Sequence, residues 1–209
     1  DPSTSVSEGF SIMKGAAANL VSTGFTKLAE MAVDLIQDFW ALDDTTAELR
    51  ENIALLKTSF DEASLTAGAA KDAYHGLYQI LGDSDQATEA AQQMAQLAKN
   101  QEELNKWLDI GAGIYGTFGA SIPLEGLMES ANETAKVGKV TGALADALNW
   151  VGISEDEVNA SLEEVAVPAD RARYLMELLS QQYGDAAEVF KETNQTIMEP
   201  REAQAQMDD

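Results

Sequence analysis

Residues 64–107 read SLTAGAAKDAYHGLYQILGDSDQATEAAQQMAQLAKNQEELNKW. This stretch decides the fold class. A helix over about Ser64 to Leu81 ends at Gly82, and Asp83 or Ser84 caps the next one. That helix places Ala87, Ala91, Met94, Leu97 and Ala98 on one face and Gln92, Gln93, Gln96 and Lys99 on the other. A third helix starts near Gln101 and carries Leu104, Trp107, Leu108 and Tyr115.

Toward the N-terminus, Met13, Ala17, Leu20, Gly24, Leu28, Met31, Leu35 and Phe39 recur at helical spacing from about Ser7 to Trp40. Thr45 to Glu48 is a T-x-x-E capping box, followed by Leu49, Ile53, Leu56 and Phe60. Toward the C-terminus, Pro123 suits a first helical turn, and Gly138 and Gly142 mark the next junction. Ser154 to Glu157 is an S-x-x-E box. Pro168 opens a helix bearing Ala172, Leu175, Met176, Leu179 and Tyr183 on one face. Gly184 is a candidate interruption. Ala187, Phe190, Asn194 and Ile197 extend the periodicity toward Pro200, after which the tail is expected to fray. The expectation is an all-α array or bundle of about eight to ten short helices with short Gly/Pro-punctuated loops. Its segments are an N-terminal helical stretch (1–42), a central array (43–166) and a C-terminal hairpin or long helix (167–209).

The totals limit the function. The 209-residue chain has 36 acidic and 13 basic residues, a formal net charge of -23. That balance excludes direct nucleic-acid binding, which relies on Lys and Arg neutralising phosphates, and disfavours an anionic membrane surface. With no cysteine, thiolate zinc sites and cysteine nucleophiles are excluded. The first residues lack a basic n-region and an apolar h-region, so no secretory signal is expected. The longest uncharged stretch, Ile110 to Leu124, is about 15 residues, against the roughly 20 a span requires.

No motif assembles catalytic chemistry. Gly111, Gly113 and Gly116 spell G-x-G-x-x-G, but a charged, helix-periodic segment precedes them where a dinucleotide site needs a strand. Gly82 to Asp85 stops short of a calcium loop and reads as a helix cap. The single histidine, His75, lies among aromatics on a helix. Glu102 with Glu103, and Glu155 to Glu157, are first-turn charges on solvated faces. Arg171 and Arg173, near Asp170, are expected in surface ion pairs. No enzyme activity, cofactor or metal is expected. The candidate sites are contact surfaces: Gly111, Ala112, Gly116 and Ala120, whose small side chains permit close helix approach, and Tyr183, Phe190 and Ile197 on the C-terminal helix. A membrane-active helical protein is the alternative, because Ile110 to Leu124 could seek an interface.

Four segments in order carry a family resemblance: KGAAANL (14–20), DAYHGLYQILGDSDQATEAAQQMAQLAKNQEELNKW (72–107), GTFGASIPLEGLMESANETAKVGKVTGALADALNWVGIS (116–154) and DRARYLMELLSQQYGDAAEVFKETN (170–194). Together they resemble the tail tape measure proteins of long-tailed bacteriophages and prophages of Gram-positive bacteria. The resemblance implies a structural virion protein that sits in the lumen of the tail tube and passes through the host cytoplasm during assembly. Its implied roles are tail length determination, assembly and genome delivery. Its implied partners are the tail tube protein, tail assembly chaperones and further copies of itself, with membrane contact only during infection. As one straight helix the chain would reach about 310 Å, short for a ruler, so it is expected to be one folded section of a larger chain.

Overall fold

Side-chain caps and left-handed glycines set where the helices begin and end. The computed structural model describes residues 47–194. They form eight α-helices, with no strand among the described residues. The helices are α1 (Ala47–Glu62), α2 (Ala67–Leu81), α3 (Ser84–Leu97), α4 (Gln101–Phe118), α5 (Leu124–Val137), α6 (Ala143–Trp150), α7 (Glu155–Glu163) and α8 (Pro168–Thr193). A 3-10 turn, Gly119–Ser121, follows α4.

Four side chains close helix starts. Thr66 accepts from the Ala69 amide at 3.1 Å, Asp83 from Gln86 at 2.9 Å, Asn100 from Glu103 at 2.9 Å and Ser154 from Glu157 at 3.3 Å. Each such cap contributes about 1 kcal/mol. Gly82 and Gly138 end α2 and α5 at φ 68° and 75° and donate their amides to Tyr78 and Thr134. A side chain at either position would meet the steric cost of the left-handed region.

The alanine-rich α3 is the centre of one half of the array. Ala87, Ala90, Ala91 and Ala95 are fully buried, and their small side chains let α1, α2 and α5 approach together. Of the expected α1 stripe, Leu56 and Phe60 are buried. Polar ties lock the packing. The Asn132 amide donates to the Gln93 carbonyl at 2.8 Å, and Gln92 donates to Ser59 at 3.1 Å. Ser130 accepts the Leu144 amide at 3.0 Å and so fixes the start of α6, while Asn159 of α7 accepts the Val140 amide at 2.7 Å.

The other half is built on α4 and α8, the most extensively packed pair. They run parallel: Glu103 meets Arg173, Lys106 meets Glu177, Gly113 faces Tyr183, and Gly116 faces Phe190. One core spans both halves, from Leu56 of α1 to Tyr183 of α8. The described parts of segments 43–166 and 167–209 therefore share a core.

Two local expectations change. Gly184 does not interrupt its helix: α8 is continuous for 26 residues. The helix cost of one glycine, about 1 kcal/mol, is outweighed by packing on both sides, where Tyr183 and Ala187 are buried. Pro123 stands just before the first turn of α5, where its carbonyl accepts the Leu127 amide at 3.0 Å. The helix expected over Ser7 to Trp40, the Thr45 cap and the tail beyond Pro200 lie outside the described residues.

The two interior glycines of the seam and of α8 should behave oppositely. A Cβ at Gly113 would run into the Tyr183 backbone carbonyl, whereas one at Gly184 has nothing within 4 Å. Gly113→Ala should destabilise the fold by about 1–3 kcal/mol through overpacking, and Gly184→Ala should stabilise it by about 0.5–1 kcal/mol. Urea unfolding of both variants checks the pair of signs.

Candidate functional site

The small-residue run of α4 meets neighbours on several sides at once. Gly111 lies under Leu124 and Met94, where a Cβ would stand 3.2 Å and 3.3 Å from their side chains. Ala112 is buried with Ile80 and Ala187. A Cβ at Gly116 would come within 2.8 Å of the Phe190 Cβ. Glycine at these positions removes the atoms that would hold α8 and α5 away.

Ion pairs border the seam. The Arg173 Nε donates to Glu103 at 3.1 Å, Lys106 donates to Glu177 at 2.9 Å, and Lys191 donates to Asp109 at 2.6 Å. The bond to Glu177 raises the Lys106 pKa above the usual lysine value. The solvent-open Lys106–Glu177 pair contributes little to stability, typically 0–1 kcal/mol, and serves to hold register, whereas Lys191 and Asp109 are more enclosed. Glu103 differs because it is buried. It accepts both the Arg173 guanidinium and, at 2.8 Å, the Lys99 backbone amide. This corrects its reading as a solvated first-turn charge. The signal was Asn100 to Glu103, an N-x-x-E box of the same kind as Ser154 to Glu157.

Arg171 is also not the expected surface ion pair. Its guanidinium donates to the Val165 carbonyl at 2.6 Å and to the Ala135 and Lys136 carbonyls at 3.3 Å. It thereby satisfies the C-terminal carbonyls of α5 and ties the α7–α8 loop to them. Arg173 does pair with Asp170, at 3.4 Å, and it adds Glu103.

An aromatic cluster closes the C-terminal end of the seam. Phe118 packs edge-on to Trp150 with ring centroids 5.5 Å apart and lies 6.1 Å from Tyr183. Tyr115 meets Phe190 edge-on at 5.8 Å. The buried Tyr183 hydroxyl donates to the Ala147 carbonyl at 2.5 Å and so joins α8 to α6. Burial pushes its pKa up to about 12, since the phenolate would lose its hydration.

Of the candidate contact residues, Gly111, Ala112 and Tyr183 are buried inside this chain. Phe190 is half-buried, Gly116 is exposed at the seam's edge, and Ala120 is exposed in the 3-10 turn. Ile197 lies outside the described residues. The two expected contact surfaces thus meet each other. Small-residue spacing permits a close approach without specifying which helix makes it.

The remaining candidates have structural positions. The G-x-G-x-x-G string lies within a continuous helix. Asp83 caps α3, and Asp85 accepts from Asn52 at 3.0 Å. His75 packs beside Tyr74, with ring centroids 5.9 Å apart. Burial pushes the nearby Asp72 carboxyl above the usual carboxylate range, partly offset by His75 and Lys71. Glu155, Asp156 and Glu157 are exposed in the first turn of α7. Among the described residues no group of three or more His, Cys, Asp or Glu is placed to hold a metal ion.

Tyr183 makes the seam sensitive to alkali. Its contribution is complete below pH 10, the ordinary tyrosine value. As pH rises toward about 12 the folded state retains a proton that the unfolded chain releases, so stability falls. Tyr183→Phe should begin about 1 kcal/mol less stable at neutral pH and should lack that part of the alkaline decline. Urea midpoints across pH for both proteins check this.

Comparison with models of known protein families, with curated proteins and with solved structures finds no match.

Proposed function

We propose that this chain is a folded section of a phage tail tape measure protein, acting through helix-mediated contacts without catalysis. The observation that carries the reading is where the resemblance falls. Its segments over residues 72–107, 116–154 and 170–194 supply most of α2 through α6 and of α8 in one shared core, with α7 lying between two of them. The resembling segments thus fall mostly within one packed core, and the all-helical fold agrees with a helix-rich family.

A section of this kind offers two lengths. Packed as an array, residues 47–194 would have a radius of gyration of about 15 Å. Opened into one continuous helix they would extend about 220 Å. The closely packed α4–α8 seam holds the first form, and separating those helices is the step toward the second. On this reading the tail tube protein and assembly chaperones act by stabilising one form over the other, as any partner with differential affinity does.

Among the described residues, no helix is long and apolar enough to cross a membrane. Most of the uncharged run Ile110 to Leu124 lies in α4, with Ile110 to Ile114 buried. The membrane-active alternative therefore requires the seam to open first.

Peptide mass spectrometry on particles purified from an induced culture of the source strain tests the proposal. Peptides from residues 117–139 should co-fractionate with intact tails, and flanking peptides should extend the parent chain. Their absence from particles, with the protein free in the lysate, would contradict it.

A further inference from the structure

At its C-terminal end the seam opens into a groove of about 360 Å³, lined by Gly116, Asp185, Ala186, Val189, Phe190 and Thr193. Val189 is 61% exposed, unusual for a side chain beside a packed helix pair. Helical spacing puts Ala186, Val189 and Thr193 along one edge of α8. Asp185, Glu188 and Glu192, all exposed, run along the adjacent edge, so an apolar strip is bordered by a row of carboxylates.

The backbone adds to this negative border. Because α4 and α8 are parallel, both end near the groove, at Phe118 and Thr193. Their C-terminal carbonyls place partial negative charge at the same end. The last turn of α4 has no basic residue, and Lys191 of α8 is 2.6 Å from Asp109.

We propose that this groove docks an amphipathic helix from a partner protein, with bulky apolar residues at helical spacing and flanking lysines or arginines. An apolar strip along a groove is the receiving half of helix-in-groove recognition. The charge decides between occupants. A second copy would bring another net charge of -23 to a carboxylate-lined surface, and like charges oppose that pairing. A cationic helix gains attraction at both edges. The inference stands whether or not the chain belongs to a tape measure protein.

The test is amide chemical-shift mapping of the full chain with two synthetic amphipathic helices of about five turns, identical in leucine spacing but carrying lysine or glutamate on the polar face. At physiological salt the lysine peptide should shift the amides of Gly116, Ala186, Val189 and Thr193, and the glutamate peptide should not. Val189→Ser, at an exposed position, should weaken lysine-peptide binding about tenfold. The double variant Asp185→Asn/Glu192→Gln should weaken it several-fold. Glu155→Gln/Asp156→Asn, which removes the same charge from α7, should leave it unchanged. Shifts spread over residues 155–157 with no effect of Val189→Ser would overturn the proposal by showing attraction to net charge alone. Self-association in sedimentation that Val189→Ser abolishes would assign the groove to a second copy. Binding only after removal of residues 195–209 would assign it to the chain's own terminus. Either of these would also overturn the proposal.

Discussion

The close, parallel approach of α4 and α8 is the constraint on which the rest of this structure depends. Gly113 and Gly116 leave no Cβ between the helices, so Tyr183 and Phe190 of α8 sit against the α4 backbone. Once the axes are that close, the surrounding interactions become available. Phe118 reaches the Tyr183 ring, Tyr183 reaches the Ala147 carbonyl of α6, and Arg173 reaches the buried Glu103. Interiors packed to crystal density transmit displacements, so moving α8 outward would disturb α6 through Tyr183 and α5 through Arg171 together.

Much of the fold was legible because it rests on local rules. The caps at Asp83 and Ser154, the stops at Gly82 and Gly138 and the start at Pro168 follow from backbone groups that must find partners within a few residues. The buried stripe Ala87, Ala91, Met94 and Leu97 of α3 follows from the helical period, but Ala90 and Ala95 are buried beside it. Gln92 and Gln93, expected on the wet face, are half-buried and tied to Ser59 and Asn132. Gly184 could not be judged the same way. Whether a glycine ends a helix depends on how strongly its neighbours are packed, and Tyr183 and Ala187 are held from outside the helix.

The contact surfaces were legible as residues but not as pairings. The spacing of Ala112, Gly116 and Ala120 signals a face that something can approach, and the stripe from Ala172 to Phe190 signals a face that something must cover. That Ala112 and Gly116 meet Ala187 and Phe190, while Ala120 stays exposed, is a tertiary fact. The roles of Glu103 and Arg171 were hidden for the same reason. Glu103 is partnered across 70 residues, and Arg171 reaches carbonyls 35 and 36 positions away. Only the Asn100 to Glu103 spacing offered a local clue. The functional reading joins these levels: a helical section whose short elements depend on one seam can be held closed or drawn out by whatever binds the two helices unequally.

A nuclear Overhauser measurement on the isolated protein tests the seam most directly. Cross-peaks from the Gly113 α-protons to the Tyr183 β-protons and the Ala187 amide are the result expected from the parallel α4–α8 approach. Cross-peaks from Gly113 to the opposite end of α8, near Arg173, or none to α8 at all, would contradict it.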